Sequence, residues 1–386
     1  MKPVAMLCHG TEGYGVRRVV LDLLAGIDTT QLLVIEPGPL MEDARTAGIP
    51  VAQLSLPEPF EPYRVSPSLL LRQRQALRHN AAAVVDYCRD HGIRIVHTHL
   101  LPLHIVAGMS RRLSHKQVES VWHFHVIPGQ GRLGRLTRLA HNIGGLRWAG
   151  RIIAVSEATA SAYRSVFRKH VRVVYNGIPQ PPPLDEARAA ELRQRYRHRW
   201  AHTLCWAGRL VRGKGVHVAI QALAQLARRD VGLVILGDTE DPGCQESGYL
   251  RELEELIGTH DLSSQVELAG RVDYVAEVMA ASDLLVHTRL DPEPCSMVII
   301  EALSVGLPVV ATSTGGTPEL VRPDFNGLLV PPGQPVALAA ALDRLLSDPR
   351  RRHELSRSAL SDARSRFSLE RVIAQVQSVY AELGAR

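Results

Sequence analysis

The sequence contains few cysteines, and their spacing fits neither a disulfide framework nor a zinc ribbon. The five are Cys8, Cys88, Cys205, Cys244 and Cys295, an odd number that is widely scattered and includes no Cys-x-x-Cys pair. Small secreted domains use dense, paired cysteines, and zinc ribbons use closely spaced ones. The distribution therefore indicates a reducing compartment, and we predict a cytoplasmic protein.

Long apolar runs are also missing. No segment approaches the roughly 18 uninterrupted apolar residues of a membrane-spanning helix. The first apolar run, Val4–Cys8, is too short for the hydrophobic region of a signal peptide, so we expect none. The sequence has no short-period repeat and no low-complexity tract. Its 45% hydrophobic and 22% charged residues are ordinary for a globular chain, and 386 residues are enough for about two to three domains.

Charge is unevenly distributed along the chain, although the net charge is only +6. Residues 1–180 carry 22 Lys and Arg against 12 Asp and Glu, whereas residues 181–386 carry 23 against 27. A basic first half favours an anionic partner, such as nucleic acid, a membrane surface or a phosphorylated substrate. A solvated basic face without a partner explains the same charges.

Short apolar runs alternate with amphipathic helical stretches, and the scheme occurs twice. The runs that predict buried strands are Val4–Cys8, Leu32–Ile35, Ile93–His97, Ser120–His125 and Arg151–Val155, then Thr203–Ala207, Gly232–Leu236, Val266–Leu268, Leu284–His287 and Pro308–Ala311. This alternation indicates an α/β protein with parallel sheets covered on both faces. The proline-rich segment 178–183 separates the two halves, because such a segment cannot lie inside a sheet.

The predicted architecture is therefore two Rossmann-like, doubly wound domains that face a cleft. We expect the first over residues 1–180 and the second over residues 181–365. A C-terminal helix over residues 366–386 is expected to pack back on the first domain. Ligands of open α/β sheets bind beyond the carboxyl ends of the strands, so candidate site residues are sought just after each strand.

A glycine-rich turn with Gly13 and Gly15 follows the first strand and precedes a helix. Glycines let a ligand approach the backbone closely, and a helix N-terminus favours an anion. The turn does not match Gly-x-Gly-x-x-Gly, which weakens the alternative of a dinucleotide site.

A basic turn with Arg209, Arg212 and Lys214 follows the first strand of the second half. Arginine binds phosphate bidentately and lysine binds it as a point charge, so this turn can hold a diphosphate. It is not a Walker A loop, and a solvated basic loop is the alternative.

Two glutamates, Glu293 and Glu301, are separated by seven residues around the start of a predicted helix. Carboxylates accept hydrogen bonds from ribose and sugar hydroxyls, and the helix start offers backbone N–H groups to phosphate. Taken alone, the pair has a simpler explanation, in which Glu293 is a carboxylate at a helix start and Glu301 is a surface carboxylate.

Histidines end two strands in pairs, His97 with His99 and His123 with His125. Residues two apart share one face of a strand, so each pair can chelate a metal. Hydrogen-bonded histidines without a metal are the alternative. We expect no metal ion or other cofactor, because no complete metal motif is present.

These segments together resemble the retaining GT-B glycosyltransferases of family four, the glycosyl transferases group 1. The segment from Glu293 to Glu301 resembles the E-x7-E motif of that group, and Gly208-Arg209 with Lys214-Gly215 resembles its phosphate loop. Further similar segments run along nearly the whole chain: Val174–Ile178, Leu236–Asp238, Gly270-Arg271, Gly306–Val309, Gly315-Gly316, Pro318-Glu319 and Asn326-Gly327. Tyr14 and Cys295-Ser296 depart from the group's pattern, which weakens inference about the donor sugar.

The resemblance implies a metal-independent hexosyltransferase that uses a UDP- or GDP-linked sugar and retains the anomeric configuration. It places Arg209 and Lys214 at the diphosphate, and Arg271 with the Val272 backbone at the base. It also places Gly13 and Gly15 among the donor-binding residues.

For the sugar, the resemblance implies Glu293 together with the backbone of Cys295, Ser296 and Met297, and it implies Glu301 for the ribose. The resemblance also implies a histidine in the sugar pocket at the end of the fourth strand, where strand periodicity and the group's pattern together favour His125 over His123. The implied catalytic residues are thus His125, Glu293, Arg209 and Lys214.

The resemblance implies a hydroxyl acceptor, and we expect surface polysaccharide or lipid-linked glycan synthesis because it is the commonest role in the group. A small-molecule acceptor, such as an antibiotic aglycone, and a nucleotide-sugar 2-epimerase are alternatives. No nucleic-acid partner is expected. The segment 131–151 combines arginines with leucines at helical spacing, so it predicts either a peripheral helix on an anionic membrane or a helix packed on the core.

Overall fold

A computed structural model describes residues 3–57, 74–127, 148–164, 171–180, 182, 184–238 and 248–384. The chain forms two compact units, the first comprising Met1–Asn176 with Leu369–Arg386 and the second comprising Gly177–Ser368. The chain thus passes from the first unit to the second between residues 176 and 177, and returns to the first between 368 and 369. The boundaries expected from the sequence were 180/181 and 365/366.

The first unit is built on a parallel seven-stranded sheet in the order β3-β2-β1-β4-β5-β6-β7. Its strands are β1 Val4–Cys8, β2 Thr30–Val34, β3 Val51–Gln53, β4 Ile95–Thr98, β5 Glu119–Phe124, β6 Arg151–Ala154 and β7 Val171–Val173. The helices described between them are α1 Tyr14–Gly26, α2 Pro39–Thr46, α3 Arg74–Asp90, α4 Leu101–Leu113 and α5 Glu157–Arg164.

The second unit has a parallel six-stranded sheet in the order β10-β9-β8-β11-β12-β13. Its strands are β8 His202–Ala207, β9 Val231–Leu236, β10 Val266–Gly270, β11 Leu284–His287, β12 Val309–Thr312 and β13 Gly327–Val330. Its helices are α6 Glu186–Arg199, α7 Val216–Leu226, α8 Tyr249–Thr259, α9 Val275–Ala281, α10 Met297–Ser304, α11 Thr317–Leu320, α12 Pro335–Leu346 and α13 Pro349–Arg366.

The predicted α/β class with two parallel sheets is confirmed. Every residue of β1 and of β9 is buried, as expected of strands covered by helices on both faces. The sequence-based strands missed β3, β7 and β13, which are edge strands of three or four residues. Because edge strands are short and partly exposed, β3 and β7 lack a continuous apolar run.

The last helix, α14 (Leu369–Gly384), belongs to the first unit. It buries Val372, Val376, Val379 and Tyr380, four residues at helical spacing. The Tyr380 hydroxyl lies within the first unit, 2.6 Å from a ring nitrogen of a histidine on β4.

None of the helices that the structure describes is long and apolar enough to cross a membrane. Most of the basic amphipathic segment 131–151 lies outside the described residues, and so does Cys244. The other four cysteines, which the structure describes, are buried and form no disulfide with one another.

Candidate functional site

Two loops at the carboxyl ends of β8 and β11 pack closely together in the second unit. Gly215 has a φ of +71°, and a Cβ at this position would lie 2.1 Å from the Thr288 carbonyl oxygen. The Thr288 hydroxyl donates to the Lys214 carbonyl (3.1 Å), and the Leu290 N–H donates to the Gly213 carbonyl (2.9 Å). The basic turn is therefore held beside the end of β11 by glycine-dependent contacts.

Glu293 lies at the centre of this arrangement. Lys214 Nζ donates to its Oε1 at 2.8 Å, and His287 Nε2, at the end of β11, lies 3.0 Å from its Oε2. The Ser296 hydroxyl is 3.2 Å from the same His287 nitrogen. The Lys214 and Glu293 side chains are only 18% and 14% exposed, so this ion pair is largely shielded from water.

Burial and pairing have opposite effects on the Glu293 carboxyl. Burial raises its pKa, but the contacts with His287 and Lys214 outweigh burial and hold the pKa well below its usual range. Burial lowers the pKa of Lys214, although Glu293 opposes that shift. The carboxylate is thus held ionised although its side chain is largely buried.

A second glycine contact holds the Glu293 backbone in place. Gly315 has a φ of +53°, and a Cβ there would lie 2.3 Å from the Glu293 carbonyl oxygen and 2.6 Å from its nitrogen. The Gly316 N–H donates to that carbonyl at 2.7 Å. The position of the carboxylate therefore depends on the loop after β12 as well as on its own loop.

The helix α10 begins directly beside this carboxylate. Ser296 is its N-cap, but the Ser296 side chain makes no capping hydrogen bond to the helix. Cys295 and Ser296 are buried, and Met297 is half-buried in the first turn. Glu301 lies on the same helix about one turn further on, half-buried. The helix start leaves backbone N–H groups available to an anion.

The remaining predicted donor residues of this unit follow neighbouring strands. Arg209 is exposed in the turn after β8, and Arg271 is exposed directly after β10, with Val272 half-buried behind it. Gly237, after β9, donates its N–H to the Gly270 carbonyl at 2.8 Å, which ties these loops together. The strands β10-β9-β8-β11 are adjacent, so these loops lie along one sheet edge.

Arg212, the third cation of the basic turn, has a different environment. Its guanidinium forms an ion pair with Glu252 on α8 and lies over the ring of Tyr249, 5.3 Å from the centroid. Arg212 is therefore directed to the helix α8, whereas Lys214 is directed to Glu293.

In the first unit, the glycine-rich turn is organised by a buried carboxylate. Glu12 is 5% exposed, and its two oxygens accept hydrogen bonds from the backbone N–H groups of His9 (2.6 Å) and Gly10 (2.9 Å). Gly13 and Gly15 lie at the start of α1, and a Cβ at either position would meet no atom within 4 Å among the described residues. Packing does not require glycine at these two positions, and the space in front of them is open.

Both histidine pairs meet on one face of the first unit's sheet. His99 Nδ1 lies 2.9 Å from His125 Nε2, and His97 Nδ1 lies 2.6 Å from the Tyr380 hydroxyl. The rings of His97 and His99 stack at 4.5 Å, and those of His123 and His125 are 4.3 Å apart. His97, His99 and His123 are buried, whereas His125, just beyond the end of β5, is half-buried.

Burial dominates the electrostatics of this group. It lowers the pKa of His97 and of His125 to about 3, and it lowers the pKa of His99 and His123 well below the ordinary value. The His125 ring is desolvated beside the other imidazoles, which holds its pKa below neutrality. All four rings are neutral at physiological pH.

Several residues of these sites were not singled out in the sequence. His287 ends a predicted strand and Glu12 follows another, so their position after a strand was the available signal. Arg289 follows β11, and its buried Nε has no hydrogen-bond partner among the described residues. Arg289 lies close enough to Lys214 to lower the pKa of that lysine, and only the folding of the loop brings the two residues together.

Two family models match the chain. Residues 14–180 match the model described as Glycosyltransferase Family 4, and residues 191–362 match the model described as Glycosyl transferases group 1. Together the matches extend over both units.

Curated relatives match about half of the chain. The alpha-D-kanosaminyltransferase of Streptomyces kanamyceticus is 32% identical over 204 residues, which are 52% of this chain and 50% of that protein. The D-inositol 3-phosphate glycosyltransferase of Salinispora tropica is 33% identical over 210 residues, 52% of this chain and 43% of that protein. The aligned regions span about half of these relatives' length.

Solved structures match the whole fold. The crystal structure of Anabaena HepE in complex with UDP aligns with a TM-score of 0.85 at 24% identity and covers 99% of this chain and 100% of that one. At this identity the likeness shows the fold, which is that of GT-B glycosyltransferases.

Proposed function

This chain belongs to the glycosyl transferases group 1, and we propose that it moves a hexose from a nucleotide-diphosphate sugar to a hydroxyl acceptor with retention of configuration and without a metal. The carrying observation is the Glu293 carboxylate, held between Lys214 and His287 beside the start of α10. This arrangement offers the Lys214 ammonium to phosphate, the fixed Glu293 carboxylate to sugar hydroxyls, and the backbone N–H groups of the helix start to an anion. UDP is the favoured nucleotide, since HepE, with the same fold, binds it.

In this proposal the second unit holds the donor. Lys214 and Arg209 neutralise the diphosphate, and they stabilise the charge that develops there as the sugar leaves. The N–H groups at the start of α10, over Cys295–Met297, add backbone donors. Arg271 and the Val272 backbone contact the base.

Glu293 and Glu301 bind hydroxyl groups of the donor. Glu293 accepts hydrogen bonds from the sugar because its carboxyl stays ionised, and Glu301 accepts from the ribose. Retaining glycosidases use two carboxylates about 5 Å apart on opposite sides of the sugar. A front-face route needs no such pair, because the leaving phosphate accepts the acceptor's proton.

Gly13, Gly15 and His125 are the proposed contribution of the first unit. The open space at the two glycines suits close approach of a ligand. His125, neutral and held by His99, hydrogen-bonds a sugar hydroxyl. We expect His125→Ala to lower kcat about 10²-fold with little change in donor Kd. His123→Ala is the control, expected to change mainly stability; full turnover of folded His125→Ala would refute the assignment.

Titration calorimetry with UDP, GDP and uridine tests the donor site. Lys214→Met should weaken nucleoside diphosphate binding about tenfold or more, since a hydrogen bond to a charged group contributes about 1.5–3 kcal/mol. Uridine binding should not change. Arg212→Met is the matched control, because Arg212 lies in the same turn but pairs with Glu252. Equal losses for uridine and UDP, or an equal loss in Arg212→Met, would contradict the diphosphate assignment.

The acceptor we propose is a growing surface polysaccharide or a lipid-linked glycan. A small-molecule acceptor is the second candidate, favoured by the relative named D-inositol 3-phosphate glycosyltransferase. The two candidates can be separated with a donor that carries a labelled sugar and a cell extract that supplies acceptors. The label is measured in organic-extractable, polymeric and small water-soluble products. Labelled donor incubated without acceptor tests the 2-epimerase alternative, because only an epimerase would convert the sugar.

For location, we propose the cytoplasm, with peripheral contact between segment 131–151 and the inner face of an anionic membrane. Co-sedimentation with anionic vesicles at low salt tests it. Absence of binding would contradict the proposed membrane contact.

A further inference from the structure

The imidazoles of His97, His99 and His123 have nitrogen atoms with no hydrogen-bond partner in the interior of the first unit. The unpartnered atoms are Nε2 of His97, Nε2 of His99 and both ring nitrogens of His123, counted among the residues that the structure describes. His97 is fully buried, and His99 and His123 are 3% and 1% exposed. A buried polar atom without a partner is costly, so a cluster of four requires an explanation.

Ring nitrogens of the three histidines lie close together. One ring nitrogen from each residue lies within 4.8 Å of one from each of the others. Tetrahedral zinc with Zn–N distances of about 2.0–2.1 Å needs its nitrogen ligands about 3.4 Å apart, so each nitrogen moves inward by about 0.8 Å or less. Because an imidazole lone pair lies in the plane of its ring and the rings of His97 and His99 are stacked, the rings must also turn out of the stack to point at one cation.

The hydrogen bonds of two of the rings are compatible with the tautomer that a metal ligand needs. His97 uses Nδ1 toward the Tyr380 hydroxyl, and His99 uses Nδ1 toward His125 Nε2. If both Nδ1 atoms carry the proton and donate it, both Nε2 atoms present lone pairs. Histidines that bind a metal commonly donate the other ring N–H to an outer partner in this way.

We propose that His97, His99 and His123 form a binding site for a borderline divalent cation, with Zn²⁺ as the biological candidate. Three neutral imidazoles suit Zn²⁺, Co²⁺, Ni²⁺ and Cu²⁺ and do not suit Mg²⁺ or Ca²⁺, which prefer oxygen ligands. Three histidines plus one solvent-derived ligand is also the donor set of the carbonic anhydrase zinc.

The cation site joins three elements of the first unit and reaches the half-buried end of β5. His97 and His99 lie at the end of β4, His123 lies on β5, and Tyr380 comes from α14. A cation on His99 Nε2 fixes the Nδ1–H that faces His125. Sugar transfer as proposed does not need the cation, because the contact between His99 Nδ1 and His125 Nε2 is present without it.

Cobalt titration of the wild-type protein, produced without a polyhistidine tag and stripped with a chelator, tests the site directly. We expect one tightly bound Co²⁺ per chain with the intense visible absorption of a tetrahedral centre, displaced by Zn²⁺ and not by Mg²⁺. Weak, octahedral-type binding alone would overturn the proposal, because exposed histidines give that result.

Three variants localise the cation. His123→Gln should lower Zn²⁺ affinity about 100-fold or more, and Tyr380→Phe, nearly isosteric, about tenfold, the scale of an outer-shell partner. His198→Gln, an exposed histidine on α6, is the control and should bind as the wild type does. Unchanged affinity in both His123→Gln and Tyr380→Phe would overturn the proposal. If His123→Gln does not fold, the wild-type spectrum and Tyr380→Phe decide.

These measurements read out cation binding alone. Failure of the glycosyltransferase proposal would leave the cobalt spectrum unchanged, and failure of the cation site would leave UDP binding unchanged.

Discussion

The contact between Gly315 and Glu293 predicts a large effect from a single methyl group. In Gly315→Ala the new Cβ would lie 2.3 Å from the Glu293 carbonyl oxygen, whereas ordinary contacts begin near 3.4 Å. The Glu293 backbone must therefore shift by about 1 Å. Such overpacking costs about 1–3 kcal/mol, and an alanine at positive φ costs about a further 1–2 kcal/mol. We expect the total destabilisation to be about 2–5 kcal/mol.

Gly333→Ala separates the two contributions. Gly333 has a φ of +68°, close to that of Gly315, but its nearest atom to a new Cβ is a leucine methyl at 3.8 Å. The control should therefore lose only about 1–2 kcal/mol. In thermal unfolding, each kcal/mol lost lowers the melting temperature of a domain of this size by about 2–4 °C.

Function should separate the variants further. A misplacement of about 1 Å at a positioned group can cost about 10²-fold in rate, so Gly315→Ala should lose turnover on that scale while Gly333→Ala retains it. Equal melting temperatures and equal turnover in the two variants would refute the claim that the loop after β12 holds Glu293 in place.

Three further predictions follow from single contacts. Gly15→Ala should keep or raise stability, because a Cβ there meets no atom within 4 Å among the described residues and alanine favours a helix. The same variant should weaken UDP-sugar binding in calorimetry, whereas Gly258→Ala, equally open, should not change it. Asp362→Ala should cost about 3–5 kcal/mol in denaturant unfolding, because it removes the buried partner of Arg322 and Arg366, whereas Asp343→Ala, at an exposed pair, should cost about 1 kcal/mol or less. The pKa of Glu293 in the folded protein lies below its ordinary 4.5, so the stability that the ionised carboxylate contributes is present above that pH and is lost as the pH falls. The difference in unfolding free energy between wild type and Glu293→Gln should therefore shrink below about pH 4.5. A difference that stays constant with pH would contradict the pairing.

Periodicity and turn chemistry in the sequence were enough for the two parallel sheets and for the candidate donor loops. Continuous apolar runs such as Val231–Leu236 are typical of strands inside a covered sheet, and glycine with basic residues after such a run indicates a strand end. The edge strands β3, β7 and β13 were not predicted, because each is short and pairs with only one neighbouring strand. The roles of Glu293, Lys214 and His125 in transfer remain predictions.

Tertiary structure alone decided which of these residues meet. Lys214 and Glu293 are far apart in sequence, and only the packing of glycine against backbone brings them to 2.8 Å, while Arg212, two residues away, pairs with Glu252. The two histidine pairs looked separate along the chain. They became one cluster because β4 and β5 are neighbours in the sheet, and Tyr380 completed it because α14 returns to the first unit. Burial, which depends on all neighbours at once, then made those imidazoles neutral.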